Sequence, residues 1–149
     1  MNRLSFSAVV MTAAALMLAV GCGGGGGGGM GLKEGDKLIV TQALDRERFE
    51  ATYGELNEKG TDFKIDHIDG DFLPNGIPEG TELEVVVPPK TGSSVVVVKI
   101  TKSEGVTSKD ALEAKFLPER FRTPDFLFYR ISLKMEYLDA KDPKIKKVD

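Results

Sequence analysis

The fold is decided by the stretch Phe126-Leu127-Phe128-Tyr129-Arg130-Ile131-Ser132-Leu133-Lys134-Met135-Glu136-Tyr137-Leu138. Apolar and aromatic side chains occupy every second position, at Leu127, Tyr129, Ile131, Leu133, Met135 and Tyr137. Polar side chains lie between them at Arg130, Ser132, Lys134 and Glu136. Successive side chains of a β-strand point to opposite faces, so this period of two over about a dozen residues predicts a long strand with one buried face.

Apolar segments upstream predict the remaining strands. They cover residues 37–42, 48–56, 61–68, 82–87 and 95–98. Turn-forming residues separate them at 33–36, 57–60 and 88–92, and a longer loop is predicted over 69–80, where Gly, Pro, Asn and Asp are frequent. Six or seven strands joined by short turns predict an all-β fold, either an antiparallel barrel or a sandwich.

Two further segments bear on this fold. Residues 95–98 are four consecutive valines without polar alternation, so we expect a central strand that is covered on both faces. Residues 108–115 are compatible with a short helix or with a strand. Ser108 is a suitable N-cap, and Ala111, Leu112 and Glu113 favour a helix.

The N-terminus has the pattern of an export signal. Arg3 precedes an uncharged stretch over residues 4–20, which is most apolar from residue 8 onward. That apolar part is shorter than the roughly 20 residues that a membrane-spanning helix requires. We therefore predict a signal peptide over residues 1–21, the alternative being a retained transmembrane helix.

The residues after this stretch read Leu18-Ala19-Val20-Gly21-Cys22. They resemble the lipobox of bacterial lipoproteins, which has Leu three positions before the cysteine; here Ala19 holds that place and Leu18 precedes it. The resemblance implies that Cys22 carries a diacylglyceryl group on sulfur and an acyl chain such as palmitate on its amino group. It also implies, because Gly23 follows, the outer rather than the inner membrane of the cell envelope.

Cys22 has one alternative role, that of a free thiol in a secreted protein. An internal disulfide is excluded because the chain has a single cysteine. Residues 23–29 are seven glycines, which cannot pack side chains and span about 15 Å as a flexible linker. We therefore divide the chain into the signal, a lipidated tether over 22–31 and one β-rich domain over 32–149, held on the periplasmic side close to a membrane.

Charge narrows the class of partner. The chain has 20 basic and 23 acidic residues, a net charge of −3, and this mild acidity does not indicate nucleic-acid binding. The C-terminal segment is locally basic, at Lys141, Lys144, Lys146 and Lys147. We interpret it as a solvated tail, with contact to anionic lipid head groups as the alternative.

One cluster could support catalysis or metal binding. The only histidine, His67, lies among carboxylates at Asp66, Asp69 and Asp71. Zinc sites require more histidine or cysteine ligands and calcium loops more oxygen ligands, so these residues are weak metal candidates. The competing interpretation places His67 on the inward face of a strand with Phe63 and Ile65, and the aspartates in a turn.

A second cluster could bind a partner. Aromatic and arginine side chains are interleaved at Arg122, Phe126, Phe128 and Arg130. Phe126 and Phe128 fall on the polar side of the predicted strand, where exposed rings would form a contact patch. The alternative is that a neighbouring loop covers them.

The domain carries a further resemblance. Leu32-Lys33-Glu34-Gly35-Asp36-Lys37-Leu38 and Pro78-Glu79-Gly80-Thr81-Glu82-Leu83-Glu84-Val85 resemble the N-terminal split barrel that precedes PilZ domains in flagellar brake proteins. The resemblance implies a barrel. It does not extend to cyclic di-GMP, because the Arg-x-x-x-Arg motif of PilZ domains is absent and Arg122 and Arg130 are too far apart.

These patterns predict a membrane-anchored envelope lipoprotein that acts as a binding or structural module without a cofactor. Its partner would be another envelope protein or a cell-wall component. The alternative is a metal-dependent or hydrolytic envelope enzyme that uses His67 and its aspartate neighbours. Serine or cysteine catalysis has no support, because the chain has one histidine and no Gly-x-Ser-x-Gly elbow.

Overall fold

The computed structural model of the chain describes residues 31–60 and 62–148. The predicted signal peptide, Cys22 and all of the tether except Gly31 lie outside these residues. They stay predictions from the sequence.

Seven strands and three short helical segments make up the described residues. The strands are β1 (Lys37–Val40), β2 (Arg48–Leu56), β3 (Phe63–Phe72), β4 (Glu82–Val87), β5 (Val95–Lys102), β6 (Phe126–Lys134) and β7 (Ile145–Val148). The helical segments are α1 (Lys109–Phe116), a 3₁₀ turn (Glu119–Phe121) and α2 (Glu136–Asp139). Only α1 exceeds a single turn among them.

All seven strands belong to one sheet. Their spatial order is β3-β2-β6-β5-β4-β1-β7, and every neighbouring pair is antiparallel. The predicted all-β antiparallel fold is therefore confirmed, with the strands in one continuous sheet. β3 and β7 are its two edges in the described part of the chain.

The sheet encloses one hydrophobic core on a single side. The core includes Leu32, Leu38, Val40, Leu44, Phe49, Ala51, Tyr53, Leu73, Ile77, Leu83, Val85, Val96, Val98, Ile100, Leu112, Phe116, Leu117, Phe121, Ile131, Leu133, Met135, Leu138 and Ile145. We call this side of the sheet the inner face and the opposite side the outer face. α1 and the 3₁₀ turn supply Leu112, Phe116 and Phe121 to the inner face, so they cover the core where the strands do not.

Register shifts occur in the β2–β3, β2–β6 and β4–β5 pairs, and the β-bulges in the first two change which side chains share a face. In the β2–β3 pair, Tyr53 of β2 pairs with His67 of β3 and Gly54 pairs with Ile65, which leaves Asp66 as the extra residue of β3. In the β2–β6 pair, Thr52 of β2 pairs with Phe128 of β6 and Tyr53 pairs with Phe126, which leaves Leu127 as the extra residue of β6. An extra residue shifts the alternation by one, so the side chains on either side of each bulge exchange faces.

The C-terminal part of the chain departs from the sequence prediction. β6 ends at Lys134 rather than near residue 138, because Met135 has helical dihedral angles and begins the α2 turn. Met135 and Leu138 are buried, and their spacing of three residues is that of a helical turn and not of the predicted period of two. Residues 145–148 are strand β7 and not a solvated tail, since they pair with β1 and Ile145 is fully buried.

Three further segments resolve or correct a prediction. β5 is central, but only its inner face is covered, because Val95 and Lys99 are exposed. β3 continues to Phe72 through part of the predicted loop, since pairing with β2 outweighs the low strand propensity of Asp and Gly. Residues 108–115 belong mainly to α1, whose Ser108 hydroxyl accepts a hydrogen bond from Ala111 N at 3.3 Å.

Candidate functional site

An apolar surface lies on the outer face of the β2–β3 pair. It consists of five large side chains, each between 47% and 55% exposed: Leu56, Phe63, Ile65, Ile68 and Phe72. Directly paired residues of antiparallel strands point to the same side of a sheet. Leu56 belongs to β2, and the other four belong to β3, where they pair with β2 positions on the side opposite buried Phe49. We call this set the outer apolar surface.

The inner face of β3 is polar instead. His67 stacks on the Tyr53 ring, with centroids 4.5 Å apart and planes 8° apart. Asp71 forms an ion pair with Arg120, and Asp69 lies opposite Ala51. Asp66 and Asp69 have no ion pair within the described residues, so this part of β3 carries unneutralised acidic charge.

β3 is also an open edge of the sheet among the described strands. It is ten residues long and pairs with β2 alone among the described strands, so half of its backbone N–H and C=O groups point away from β2. Two N–H groups of β3, at Gly70 and Phe72, donate to the carboxylates of the preceding residues at 2.8 Å. The other edge, β7, has four residues and carries Lys146 and Lys147. Short length and lysines protect β7, whereas β3 is long, has one lysine at Lys64, and is protected only by the bulge at Asp66 and by charged side chains on its inner face.

The structure divides the predicted partner-binding residues between the two faces. Phe128 and Arg130 lie together on the outer face, with the guanidinium carbon 5.8 Å from the ring centroid. The ring centroid of Phe128 also lies 6.4 Å from that of Phe63, so Phe128 extends the outer apolar surface. Phe126 is turned inward by the bulge and packs 5.9 Å from Tyr53. Arg122 is exposed after the 3₁₀ turn.

The predicted acidic cluster does not converge. Asp66 occupies the bulge, His67 stacks on Tyr53 and Asp71 pairs with Arg120. Across residues 31–60 and 62–148, no three His, Cys, Asp or Glu side chains are placed to hold a metal ion. The competing interpretation was also wrong in detail: Phe63 and Ile65 are exposed on the face opposite His67, and the aspartates belong to a strand.

The sequence analysis missed the outer apolar surface, although it contains a signal for it. Phe63 and Ile65 are two residues apart, whereas Ile68 follows Ile65 after three. This phase change keeps apolar side chains on one face only if the strand contains an extra residue between them. The bulge at Asp66 is that residue.

Two buried carboxyl groups outside this surface have perturbed pKa values. Burial raises the pKa of Glu113, and Lys109 partly opposes that rise. Burial also raises the pKa of Glu47, partly opposed by a hydrogen bond of 2.8 Å from the Tyr137 hydroxyl. The same burial and the Glu47 contact raise the pKa of Tyr137 to about 12.

The Glu113→Gln variant should be more stable than the original protein at neutral pH. A carboxyl whose pKa is raised by folding binds more protons when folded, so stability falls as pH rises from its ordinary value of 4.5 through its folded pKa. Glutamine removes that loss, and the two proteins should converge in stability below pH 4.5. Urea denaturation at a series of pH values measures this difference, and a variant less stable than the original at pH 7 would contradict it.

Comparisons of the chain with protein-family models, curated proteins and solved structures find no match. Within the residues that the structure describes, no helix has the length and apolar character needed to cross a membrane.

Proposed function

We propose that the chain is a lipid-anchored envelope protein that binds an extended segment of another envelope protein by adding it as a strand to β3. The observation that carries this proposal is the outer apolar surface on an open ten-residue edge strand. Strand addition uses the free backbone groups for affinity and the alternating side chains for specificity. The location rests on the lipobox resemblance of residues 18–22 and on the glycine tether, which would keep the domain close to its membrane.

The two faces of β3 define the chemistry of the partner. A strand added beside β3 places alternate side chains next to the outer apolar surface and next to the acidic inner face. Apolar residues on one side and lysine or arginine on the other would complement both. The partner segment is therefore an alternating apolar and basic sequence.

Charge disfavours a second copy of this chain as the occupant. β3 contains three aspartates and one lysine, so pairing two β3 strands brings net negative charge against net negative charge. Like charges across adjacent strands destabilise the pair. Asp66 and Asp69, which have no ion pair among the described residues, attract a basic segment and thereby distinguish the proposed partner from self-association.

The geometry favours binding over the hydrolytic alternative. His67 is exposed and stacked on Tyr53, and Asp71 is engaged by Arg120. Neither arrangement presents an acid and a base to a shared substrate atom. We propose no catalytic role for this cluster.

A synthetic heptapeptide tests the proposed binding. The probe is acetyl-Lys-Val-Lys-Val-Lys-Val-Lys-amide, titrated into the protein by calorimetry. Ile65→Ser should weaken binding about tenfold or more, since it removes an apolar contact that burial would stabilise by at least about 1.5 kcal/mol. Val148→Ser is the matched control, because Val148 is an exposed apolar side chain on the opposite edge strand.

Two further peptides separate the contribution of charge to binding from that of side-chain alternation. A heptapeptide with Glu in place of every Lys should bind much more weakly, because it meets the acidic inner face with like charge. A peptide with the same composition but grouped lysines and valines should also lose affinity, because it cannot place its valines on one side. Equal binding of all three peptides, or equal effects of Ile65→Ser and Val148→Ser, would contradict the proposed function.

A further inference from the structure

A cavity of about 420 Å³ opens between β5 and β6. These strands pair only where residues 95–98 face residues 131–134, and beyond that point they separate. α1 packs against β5 behind the gap. The cavity is therefore a consequence of the sheet opening at this seam, with the helix as its floor.

The walls of the cavity combine apolar surface with a few polar groups. Lys99, Thr101 and Phe128 form its outer rim, since they lie on exposed or half-exposed positions of β5 and β6. Leu112 and Tyr129 line its interior. Cavities of a few hundred cubic ångströms with apolar walls and isolated polar groups are typical of small-molecule sites.

Glu113 is the polar group that points to a ligand. The residue is 8% exposed, and its Oε1 atom has no hydrogen bond within the described part of the chain. Lys109 Nζ forms an i, i+4 ion pair with Oε1 at 3.5 Å, a distance longer than the roughly 2.7–2.9 Å of a charge-assisted hydrogen bond. Lys109 Nζ lies 3.4 Å from the Leu127 carbonyl oxygen as well, so its charge is shared. A ligand that donates a hydrogen bond to this buried oxygen would therefore be stabilised by the contact.

We propose that the cavity binds a small uncharged aromatic molecule that donates a hydroxyl hydrogen bond to Glu113. The apolar walls and the Phe128 and Tyr129 rings would hold the aromatic part. Lys109 beside Glu113 disfavours a cationic ligand and Glu113 disfavours an anionic one, while the charge of Lys99 is neutralised by Glu84 at 2.9 Å. Burial raises the pKa of Glu113, which agrees with a carboxyl that lacks a strong internal donor.

A pair of matched probes tests this inference on the full chain. Para-cresol carries the hydroxyl donor, and para-methylanisole has a similar shape without it. We expect para-cresol to bind about tenfold or more tightly than para-methylanisole, because para-methylanisole has no hydroxyl donor and leaves the buried Glu113 acceptor without a hydrogen bond. We expect the carbon-13 signal of the Glu113 carboxyl to shift with para-cresol and to stay in place with para-methylanisole.

The Glu113→Leu variant supplies the second measurement. Leucine has a helix propensity similar to that of glutamate and removes the acceptor, so both probes should bind this variant with similar affinity. Absence of para-cresol binding at millimolar concentration, equal binding of the two probes to the original protein, or an unchanged preference in Glu113→Leu would each overturn the inference. The carboxyl signal decides the question without the variant, should Glu113→Leu fail to fold.

Discussion

Replacing Phe49 with alanine is expected to lower the free energy of unfolding by about 3–5 kcal/mol, the usual cost of removing a buried phenylalanine ring. Phe49 is fully buried, and its ring meets Phe121 edge to face with centroids 4.9 Å apart. This contact joins β2 to the 3₁₀ turn across the core. A small domain has about 5–15 kcal/mol of total stability, so the variant should be close to unfolding at elevated temperature.

Phe72→Ala is the control for Phe49→Ala. Phe72 lies on the outer apolar surface at 47% exposure, and Arg46 is its ring contact at 5.2 Å. Its removal should change stability by less than about 1 kcal/mol, because little buried surface is lost. Guanidinium denaturation of both variants measures the difference. Equal losses would contradict the assignment of inner and outer faces.

Gly54→Ala should displace β3 from β2. A Cβ atom at Gly54 would lie 2.2 Å from the Lys64 carbonyl oxygen and 3.0 Å from the Ile65 Cα atom, and both are backbone atoms that cannot rotate away. We expect a loss of about 1–3 kcal/mol in unfolding free energy, the usual cost of overpacking. Since β3 is an edge strand, the damage should concentrate there and abolish heptapeptide binding while the core remains folded.

Gly70→Ala is the matched control for this variant. A Cβ atom at Gly70 would lie 3.3 Å from the Phe49 carbonyl oxygen, a contact that a shift of a few tenths of an ångström relieves. Both glycines lie on the β2–β3 pair, so the comparison isolates the clash. Amide hydrogen exchange should show lost protection around Lys64 and Ile65 in Gly54→Ala only. Unchanged protection in Gly54→Ala would contradict the close approach of the two strands.

Regular alternation is what made part of the fold predictable. β2 and β4 have the bounds that the sequence predicts, since apolar residues alternate at Phe49, Ala51 and Tyr53 and at Leu83 and Val85, and turn residues flank both strands. The inner face of β6 is also predictable from Tyr129 to Leu133, whereas Leu127, predicted on the same face, is the bulge residue. These elements obey the period of two because one face meets the core and the other does not.

The remainder depends on contacts distant in sequence. The bulges at Asp66 and Leu127 exchange faces in mid-strand, so Phe126 and Phe128 do not share a surface as the unbroken pattern predicts. β7 has no alternation of its own and exists because β1 offers it an edge. The Glu113 cavity arises from the separation of β5 and β6, which no local pattern encodes.

The most direct test of strand addition at β3 is amide hydrogen exchange of the protein with and without the alternating lysine–valine heptapeptide. Backbone N–H groups of β3 that point away from β2 would become hydrogen-bonded to the added strand. We expect their exchange to slow about tenfold or more at saturating peptide, with amides of β7 unchanged. Slower amide exchange only in β7 or around the cavity between β5 and β6, or no change in β3 despite peptide binding, would contradict the proposed binding edge.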